Sequence, residues 1–309
     1  NVIGKIYAGI ADDMLTTTIM ATKAPKYLCP AMNTEMYNNP ITQRNLEGLR
    51  SLGYHIMDPA EGWLACGITG VGRLPEPEAI VDWLEAKMCS TNELEGTTIL
   101  VTAGGTQESI DPVRYIGNRS SGKMGYAIAE QAAHMGAKVI LVSAPTSLPI
   151  PSGVDFISVD SAVSMQEAVE ARYNDVNVVI MAAAVSDFRV LHKAEQKIKK
   201  MESMTIELVK NPDILQGLGS KKSHQILVGF AAETEHVIKY GQDKVAKKNL
   251  DMLVANDVSK SNAGFNVDTN EGYFLYPDKE PKEMPNMKKS DLARHILREV
   301  IDLVANKHS

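Results

Sequence analysis

The chain has 309 residues, of which 44% are hydrophobic and 23% charged, a balance typical of a globular protein with room for two domains. Its net charge of -6 excludes a general basic field for nucleic acid, and no apolar run reaches the roughly 20 residues that a membrane helix needs. Three cysteines, Cys29, Cys66 and Cys89, are too few and odd in number for a disulfide scaffold, so we expect a reducing compartment, the cytoplasm.

The first 90 residues alternate apolar segments with loops. The patterns predict helices over residues 10–22, 39–53 and 76–88, and short strands within residues 24–33 and 54–60. Asn39 can cap the second helix, Pro40 occupies its first position and Gly53 ends it. The chain begins at Asn1 on an apolar run, without Met, so we expect the N-terminal part of a longer protein to be absent.

A polar segment without periodicity, residues 89–96, predicts a boundary between a domain 1–90 and a domain 91–309. In the second domain continuous apolar strands alternate with helices, which indicates a doubly wound, Rossmann-like α/β fold with a parallel sheet. The predicted strands are 97–105, 137–145, 154–161, 176–188, 226–234 and 252–258, and the last helix is 290–308. Ligands of such folds bind at the carboxyl ends of the strands, where Gly104, Gly105, Asp187, Phe230, Asn256 and Asp257 stand.

The segment 117–124, GNRSSGKM, differs by one letter from the phosphate-binding P-loop. A P-loop needs Ser or Thr where Met124 stands, and it follows its strand directly, whereas this strand ends more than ten residues earlier. The P-loop interpretation therefore fails. Residues 120–122 nevertheless open a helix whose N–H groups suit an anion, with Arg114, Arg119 and Lys123 nearby. A capped helix after a solvated loop is the alternative.

Long motifs decide between these alternatives. The segment TAGGTQESIDPVRYIGNRSSGKMG (102–125) resembles the signature of phosphopantothenate–cysteine ligase, and AAAVSDFR, KIKK, KNPDIL, VGFAAET and KKNLDMLVANDV follow in that family's order. The first 90 residues carry AGIADDMLTT, PAMNTEMYNNP and WLACGITGVGRLPEP, and resemble phosphopantothenoylcysteine decarboxylase. The whole chain thus resembles the bacterial bifunctional enzyme of coenzyme A biosynthesis.

One departure from that family concerns the flavin domain. The family's decarboxylase starts with a glycine-rich flavin loop and a catalytic His, both upstream of the motifs present here. The resemblance therefore implies a complete ligase preceded by the C-terminal half of a flavoprotein α/β domain, whose FMN binding and decarboxylase activity are in question.

The resemblance implies a ligase that activates 4′-phosphopantothenate with CTP and Mg²⁺. An acyl-cytidylate forms with release of pyrophosphate, and the amine of cysteine then displaces CMP. Asn118 would hydrogen-bond the acyl carbonyl, and Arg114 would support its loop. Lys197 would neutralise triphosphate charge or assist the second half-reaction. Ser120, Ser121 and Gly122 would cradle a phosphate. A loop cap is the alternative role for Asn118, and a solvated surface side chain the alternative for Lys197.

The same resemblance implies a CTP site. Asp187 would bind Mg²⁺ or the ribose, Phe230 would stack on the base, and backbone groups of residues 181–183 would contact the nucleotide. The implied CTP-binding residues are Met181, Ala182, Ala183, Asp187, Lys197, Pro212, Asp213, Ile214, Leu215, Phe230, Lys244 and Lys248, with the helix that begins at 212–215 receiving a phosphate. The alternatives are a turn cap for Asp187, core packing for Phe230 and solvent exposure for the lysines.

In the decarboxylase part, Asn33 matches the residue that grips the substrate carboxylate, and Cys66 matches a flap cysteine that returns a proton. A lone cysteine is ordinarily a small buried apolar residue, which suits Cys29 and Cys89, but glycines surround Cys66.

Two further functions compete with the ligase. A Rossmann oxidoreductase needs the motif G-x-G-x-x-G directly after a strand, and this sequence does not have that spacing. A non-catalytic regulatory or binding subunit of the same family would need neither Asn118 nor Lys197, so the presence of both residues argues against it. The resemblance also implies a homo-oligomer, with ligase dimers and, where the flavin domain is complete, a dodecamer.

Overall fold

The chain folds into two compact units, Asn1–Cys89 and Ser90–Ser309. The computed structural model describes residues 1–63, 67, 69–88, 91–200, 202–233, 236–257 and 269–307. Within these ranges, no helix combines the length and the apolar composition needed to cross a membrane.

The first unit consists of short elements. They are α1 (Val2–Ala8), α2 (Met14–Ala21), β1 (Tyr27–Leu28), α3 (Thr34–Asn38), α4 (Pro40–Ser51), β2 (His55–Ile56), β3 (Ala60–Trp63), β4 (Thr69–Arg73) and α5 (Pro77–Met88). The predicted cap is confirmed, because the Asn39 side chain accepts a hydrogen bond from Ile41 N at 2.9 Å and Pro40 is the first residue of α4. Helix α2 begins later than predicted because Asp13 and Thr16 form a capping box.

The second unit is built on an eight-stranded sheet. Its elements are β5 (Thr98–Ala103), β6 (Gln107–Ser109), β7 (Tyr115–Gly117), α6 (Lys123–His134), β8 (Lys138–Ser143), β9 (Val154–Ser158), α7 (Ala162–Glu170), β10 (Val178–Met181), β11 (Phe188–Val190), β12 (Leu208–Lys210), α8 (Ile214–Lys221), β13 (Ile226–Glu233), α9 (Val237–Lys247), β14 (Met252–Asp257), β15 (Thr269–Leu275), β16 (Lys282–Lys288) and α10 (Lys289–Lys307). The strand order is β16-β15-β14-β13-β10-β5-β8-β9.

Six of these strands confirm the doubly wound prediction. From β9 to β14 they are parallel and follow the Rossmann order, in which the chain winds to one side of β5 and then to the other. Their apolar runs are continuous because helices cover both faces. Ile128 of α6 and Leu297 of α10 are buried on one face, and Met165, Leu218 and Val245 of α7, α8 and α9 on the other.

The sheet is mixed rather than wholly parallel. Strands β15 and β16 run antiparallel at its edge. Along β15, buried residues alternate with half-buried ones, whereas β5 is buried almost continuously. Alternation is the pattern of an edge with one wetter face, and an antiparallel strand needs only a short turn. The expectation of a wholly parallel sheet is therefore corrected at this edge.

The strand predicted over residues 176–188 is shorter in the structure, since β10 ends at Met181. Beyond it, residues 182–186 still pair with the segment after β5: Ala184 N donates to Gly104 O at 2.8 Å, and Ser186 N donates to Thr106 Oγ1 at 2.9 Å. The chain then turns into the antiparallel pair β11–β12. A second antiparallel pair, β6–β7, lies where the sequence predicted only a loop.

Asp111 connects these two small hairpins. Its buried carboxylate accepts hydrogen bonds from the Arg114 guanidinium, from the backbone N–H groups of Val113 and Arg114, and from Ile198 N at 3.1 Å. Arg114 Nη2 also donates to Ile198 O at 2.9 Å. The Arg114 guanidinium and these N–H groups hold the pKa of Asp111 well below its usual range. The segment around Ile198 is thus fixed to the loop before β7.

We expect Asp111→Asn to lower the urea midpoint of unfolding at neutral pH, because the charge that binds Arg114 is lost. A carboxyl whose pKa is depressed in the folded state contributes stability above its unfolded pKa of about 3.9 and loses it as the pH falls. The difference between wild type and Asp111→Asn should therefore shrink below about pH 4. Urea titrations across this range measure it, with the exposed Asp155→Asn as control. A difference that is independent of pH would contradict the assignment.

Candidate active site

A cavity of about 160 Å³ lies at the carboxyl ends of β5, β10, β13 and β14. The strand order reverses between β5 and β10, and ligands of doubly wound sheets bind at such a point because the two following loops diverge there. The lining residues are Ser120–Gly125, Ala182–Ala184, Phe230–Ala232, Asn256, Asn270 and Lys289. The cavity therefore joins the predicted phosphate loop to the predicted nucleotide residues.

Glycines let the phosphate loop approach the sheet. Gly122 precedes α6 with φ 76°, and a Cβ atom there would lie 2.6 Å from Thr146 Cγ2. A Cβ atom at Gly105 would lie 2.8 Å from the Asn118 carbonyl oxygen. Because Gly122 has no side chain to cap α6, the first N–H groups of this helix can serve an anion. Ser120, Ser121 and Gly122 line the cavity at the start of α6, and their phosphate-binding role stays a prediction.

Asn118 is exposed beside this cavity, and its amide reaches the segment after β10. Nδ2 lies 3.2 Å from Val185 O and 3.4 Å from Ala184 O. The amide therefore fixes the loop to the sheet, as the loop-cap alternative requires. A carboxamide has two N–H groups, so one can remain on Val185 while the other meets a ligand.

Arg114 and Lys197 lie outside the lining of the cavity. Arg114 is engaged by Asp111, which fits the supporting role predicted for it. Lys197 is exposed and immediately precedes Ile198, the residue whose N–H also binds Asp111. The Asp111 carboxylate therefore holds the turn between β6 and β7 against the segment that carries Lys197.

The structure brings together only part of the predicted nucleotide set. Ala182, Ala183 and Phe230 line the cavity, and Phe230 also packs against the core, as its alternative role requires. The Met181 side chain is buried, with Thr102 Oγ1 at 3.7 Å from its sulfur. Asp187 is exposed just before β11, away from the cavity lining.

The helix predicted to begin at 212–215 begins at Ile214, and its N-terminus is already occupied. The Asp213 carboxylate accepts a hydrogen bond from Gln216 N at 3.0 Å and pairs with Lys248 Nζ at 2.9 Å. A phosphate would meet this carboxylate beside the Lys248 ammonium, and the phosphate role predicted for this helix start stays a prediction. Ile214 and Leu215 are buried in the core, and Pro212 precedes the cap. Lys244 lies in the last turn of α9, and Lys248 directly follows the helix.

No cluster in the described part of the chain has the three or more His, Cys, Asp or Glu residues of a protein-only metal site. Asp187 alone would not hold Mg²⁺. Magnesium in nucleotide sites is ordinarily bound by one or two carboxylates together with the phosphates, so a single exposed carboxylate fits a nucleotide-bound ion.

Three further cavity residues, Asn256, Asn270 and Lys289, come from β14, β15 and α10 near the end of the chain. Asn256 Oδ1 is buried and has no hydrogen-bond partner among the described residues. Asn270 is 3% exposed, and among the described residues its Nδ2 has only Met124 Sδ, at 3.9 Å, as a partner. The sequence analysis identified Asn256 as a polar residue at the carboxyl end of a predicted strand. Asn270 and Lys289 belong to no motif, because the strand and the helix that carry them reach the site only through the antiparallel edge.

In the first unit, Asn33 accepts a hydrogen bond from Glu35 N at 2.8 Å and so caps α3. A cavity of about 570 Å³ with a largely apolar lining lies beside it, bordered by Pro30, Ala31 and Met32. The predicted residue Cys66, like Cys89, lies outside the described residues. Cys29 also lines this cavity, and burial raises the pKa of its thiol.

Comparison with known proteins gives matches to both units. A flavoprotein family model matches residues 1–89, and the model of the DNA/pantothenate metabolism flavoprotein C-terminal domain matches residues 94–304. The chain is 49% identical over 307 residues to the coenzyme A biosynthesis bifunctional protein CoaBC of Bacillus subtilis (strain 168), covering 98% of this chain and 76% of that protein. It is 44% identical over 306 residues to the protein of the same name from Escherichia coli (strain K12), covering 97% and 75%.

Among solved structures, the crystal structure of the C-terminal domain of CoaBC matches with a TM-score of 0.61 and 44% identity, over 70% of this chain and all of that one. The expectation that half of the flavoprotein domain is missing finds no support in these matches. The identities and coverage show that the chain belongs to the family of the coenzyme A biosynthesis bifunctional protein CoaBC.

Proposed function

We propose that the second unit joins 4′-phosphopantothenate to L-cysteine at the expense of CTP, and that the first unit belongs to an FMN-dependent decarboxylase acting on the product. The corresponding domains are 1–90 and 91–309. One observation carries the ligase: an uncapped helix N-terminus, two loop serines and a half-buried aromatic ring share one cavity beside the Asn118 amide. The family match supports the same activity.

The first half-reaction requires phosphate binding and neutralised charge. Ser120, Ser121 and Gly122 bind a phosphate of the substrate at the start of α6, where the helix dipole favours an anion. The substrate carboxylate attacks the α-phosphorus of CTP, and the bond to pyrophosphate breaks. Lys197 offsets the charge of the triphosphate from its loop.

The second half-reaction is acyl transfer. The amine of cysteine forms a bond to the acyl carbon while the bond between that carbon and the CMP oxygen breaks. Asn118 donates one amide N–H to the acyl oxygen, where negative charge develops, and keeps the other on Val185 O. Arg114 acts as a positioning residue through Asp111.

A larger set of residues is assigned to the binding of CTP and its Mg²⁺ ion. Asp187 would hold Mg²⁺ together with the triphosphate, and the ion would supply charge neutralisation when bound. Phe230 packs against the base, and Lys244 and Lys248 approach the nucleotide from α9. The remaining contacts come from Met181, Ala182 and Ala183, and from Pro212, Asp213, Ile214 and Leu215 at the start of α8.

For the decarboxylase, the cavity beside Pro30 and Met32, with its largely apolar lining, would hold the flat ring system of FMN. When bound, FMN supplies a reversible electron acceptor for the cysteine thiol of the substrate. Asn33 would bind the substrate carboxylate and Cys66 would return a proton. Flavin fluorescence after incubation with FMN and removal of free cofactor tests whether this unit binds it.

The proposed location is the cytoplasm, and the proposed assembly is a homo-oligomer, with a dimer through the ligase unit and a dodecamer through complete flavin domains. Exposed apolar side chains on the two hairpins, Val113, Tyr115, Phe188 and Leu208, support self-association. The second candidate function is a non-catalytic binding subunit of the same family.

We expect pyrophosphate release by the wild-type protein to require 4′-phosphopantothenate and Mg²⁺, to be faster with CTP than with ATP, and to occur without cysteine. The measurement is pyrophosphate production with each nucleotide. Equal rates with both nucleotides would contradict the CTP assignment alone. No release from folded protein with either nucleotide would favour the binding subunit.

We expect Asn118→Asp to slow cysteine-dependent CMP release by about 100-fold or more, because a carboxylate repels the developing oxyanion that the amide stabilises. Acyl-cytidylate should accumulate and can be detected by mass spectrometry of the quenched reaction. Asn174→Asp, an exposed change just before β10, is the matched control. Normal turnover by Asn118→Asp would refute its role.

A further inference from the structure

The segment that carries Lys197 has no regular structure of its own. It connects β11 to β12, and we call its first part, residues 191–200, the strap. The strap contains four lysines against one glutamate, so it is cationic. All of its residues are exposed except Ala194 and Ile198, which are half-buried and four positions apart. These two residues are therefore the places where the strap can be attached to the fold.

Backbone contacts fix both half-buried residues to the turn between β6 and β7. Ala194 N donates to Ile110 O at 2.9 Å, and Ile198 N donates to Asp111 Oδ2 at 3.1 Å. The carbonyl oxygen of Ile198 accepts from Arg114 Nη2 at 2.9 Å. Both backbone groups of Ile198 are thus bound by the ion pair that the side chains of Asp111 and Arg114 form.

The two carboxylate oxygens of Asp111 have separate tasks. Oδ1 accepts from the backbone N–H groups of Val113 and Arg114, both at 2.8 Å, and this closes the turn. Oδ2 accepts from the Arg114 side chain and from Ile198 N. Asn closes such turns as Asp does, so the turn alone requires no charge. The second oxygen and its charge are used by the strap and by the guanidinium that also binds the strap.

This arrangement fixes the backbone next to Lys197 and leaves the Lys197 side chain available. The side chain is exposed and forms neither a hydrogen bond nor an ion pair with any described residue. A charged group on a fixed backbone loses less freedom when it meets a ligand than one on a free loop, and its contact with the ligand is stronger for that reason.

We propose that Asp111 is a positioning residue of the ligase, whose carboxylate fixes Ile198 and thereby presents the Lys197 ammonium to the triphosphate of the nucleotide. The proposal rests on the ligase function proposed above. It assigns a role to a buried carboxylate that does not line the reaction cavity.

Asp251 offers a matched control. Its Oδ2 accepts from Leu227 N at 2.7 Å and pairs with Lys222 Nζ at 3.2 Å, so it also binds a backbone N–H group and a cation. It immediately precedes β14, whereas the cavity lies at the carboxyl end of that strand. Asp251→Asn therefore removes a comparable clamp from the same unit without affecting the strap.

Asp111→Asn tests the proposal through nucleotide affinity. The amide keeps an oxygen for the turn but replaces Oδ2 by an NH₂ group, which cannot accept from Ile198 N. We expect the Kd for CTP with Mg²⁺, measured by calorimetry without phosphopantothenate, to rise by about tenfold. The Kd for CMP should rise by less than about twofold, because CMP lacks the two outer phosphates whose charge Lys197 offsets. Asp251→Asn should leave both Kd values unchanged.

A double-mutant cycle determines whether Asp111 acts through Lys197. We expect Lys197→Met to raise the Kd for CTP by about tenfold, and the addition of Asp111→Asn to change it further by less than about twofold. A role in stability alone would give the same fold-change in both backgrounds, since independent effects add in free energy. Binding does not require turnover, so every member of the cycle can be measured.

Hydrogen exchange of the wild-type protein tests the anchor without any substitution, and so covers the case in which Asp111→Asn does not fold. After correction for intrinsic rates, the N–H of Ile198 should exchange at least about tenfold more slowly than those of Lys199 and Lys200. These two N–H groups have no hydrogen-bond partner among the described residues. Equal protection of the three N–H groups would overturn the anchor.

The outcomes separate this proposal from the ligase itself. If wild type binds CTP and releases pyrophosphate while Asp111→Asn keeps the wild-type Kd for CTP, the positioning role is overturned and the ligase stands. Equal rises for CTP and CMP, an equal rise in Asp251→Asn, or an undiminished effect beside Lys197→Met would overturn the positioning role as well. Absence of both CTP binding and pyrophosphate release in folded wild-type protein would overturn both proposals.

Discussion

Backbone pairing that continues past the ends of β5 and β10 is the constraint on which the candidate site depends. Gly104 O, Thr106 N and Ala184 exchange hydrogen bonds after both strands have ended, and a bridge joins Gly105 to Ala184. This pairing keeps the two loops together at the point where the strand order reverses. Asn118 donates to the carbonyl of Val185, and this contact ties the phosphate loop to the sheet.

The N-termini of three helices around this sheet differ in their capping side chains. The capping determines how many backbone N–H groups remain for a phosphate. Helix α6 begins after Gly122 and has no side-chain cap. Helix α7 is capped by Ser161 and also receives Glu108, whereas α8 is capped by Asp213. A capping side chain occupies N–H groups that an anion could otherwise use, so α6 is the most open of these three helix starts.

Regular elements and their caps were predictable because their signals are local. Continuous apolar runs indicated the six parallel strands, and Asn39 indicated a helix start. The hairpins β6–β7 and β11–β12 were missed because their strands are three residues long and exposed on one side, so no periodicity develops. The antiparallel edge was missed because direction depends on which strand β15 meets.

The sequence by itself determined the doubly wound class, the glycine-rich phosphate loop, Asn118 and the family resemblance, since each is contained in a short segment. Only the tertiary structure decided which of these residues share a cavity. It brought Asn256 and Asn270 to the phosphate loop, and it placed Asp213 and Lys248 against each other. Such contacts join segments far apart in the chain, and local patterns carry no information about them because they arise from the strand order and its register.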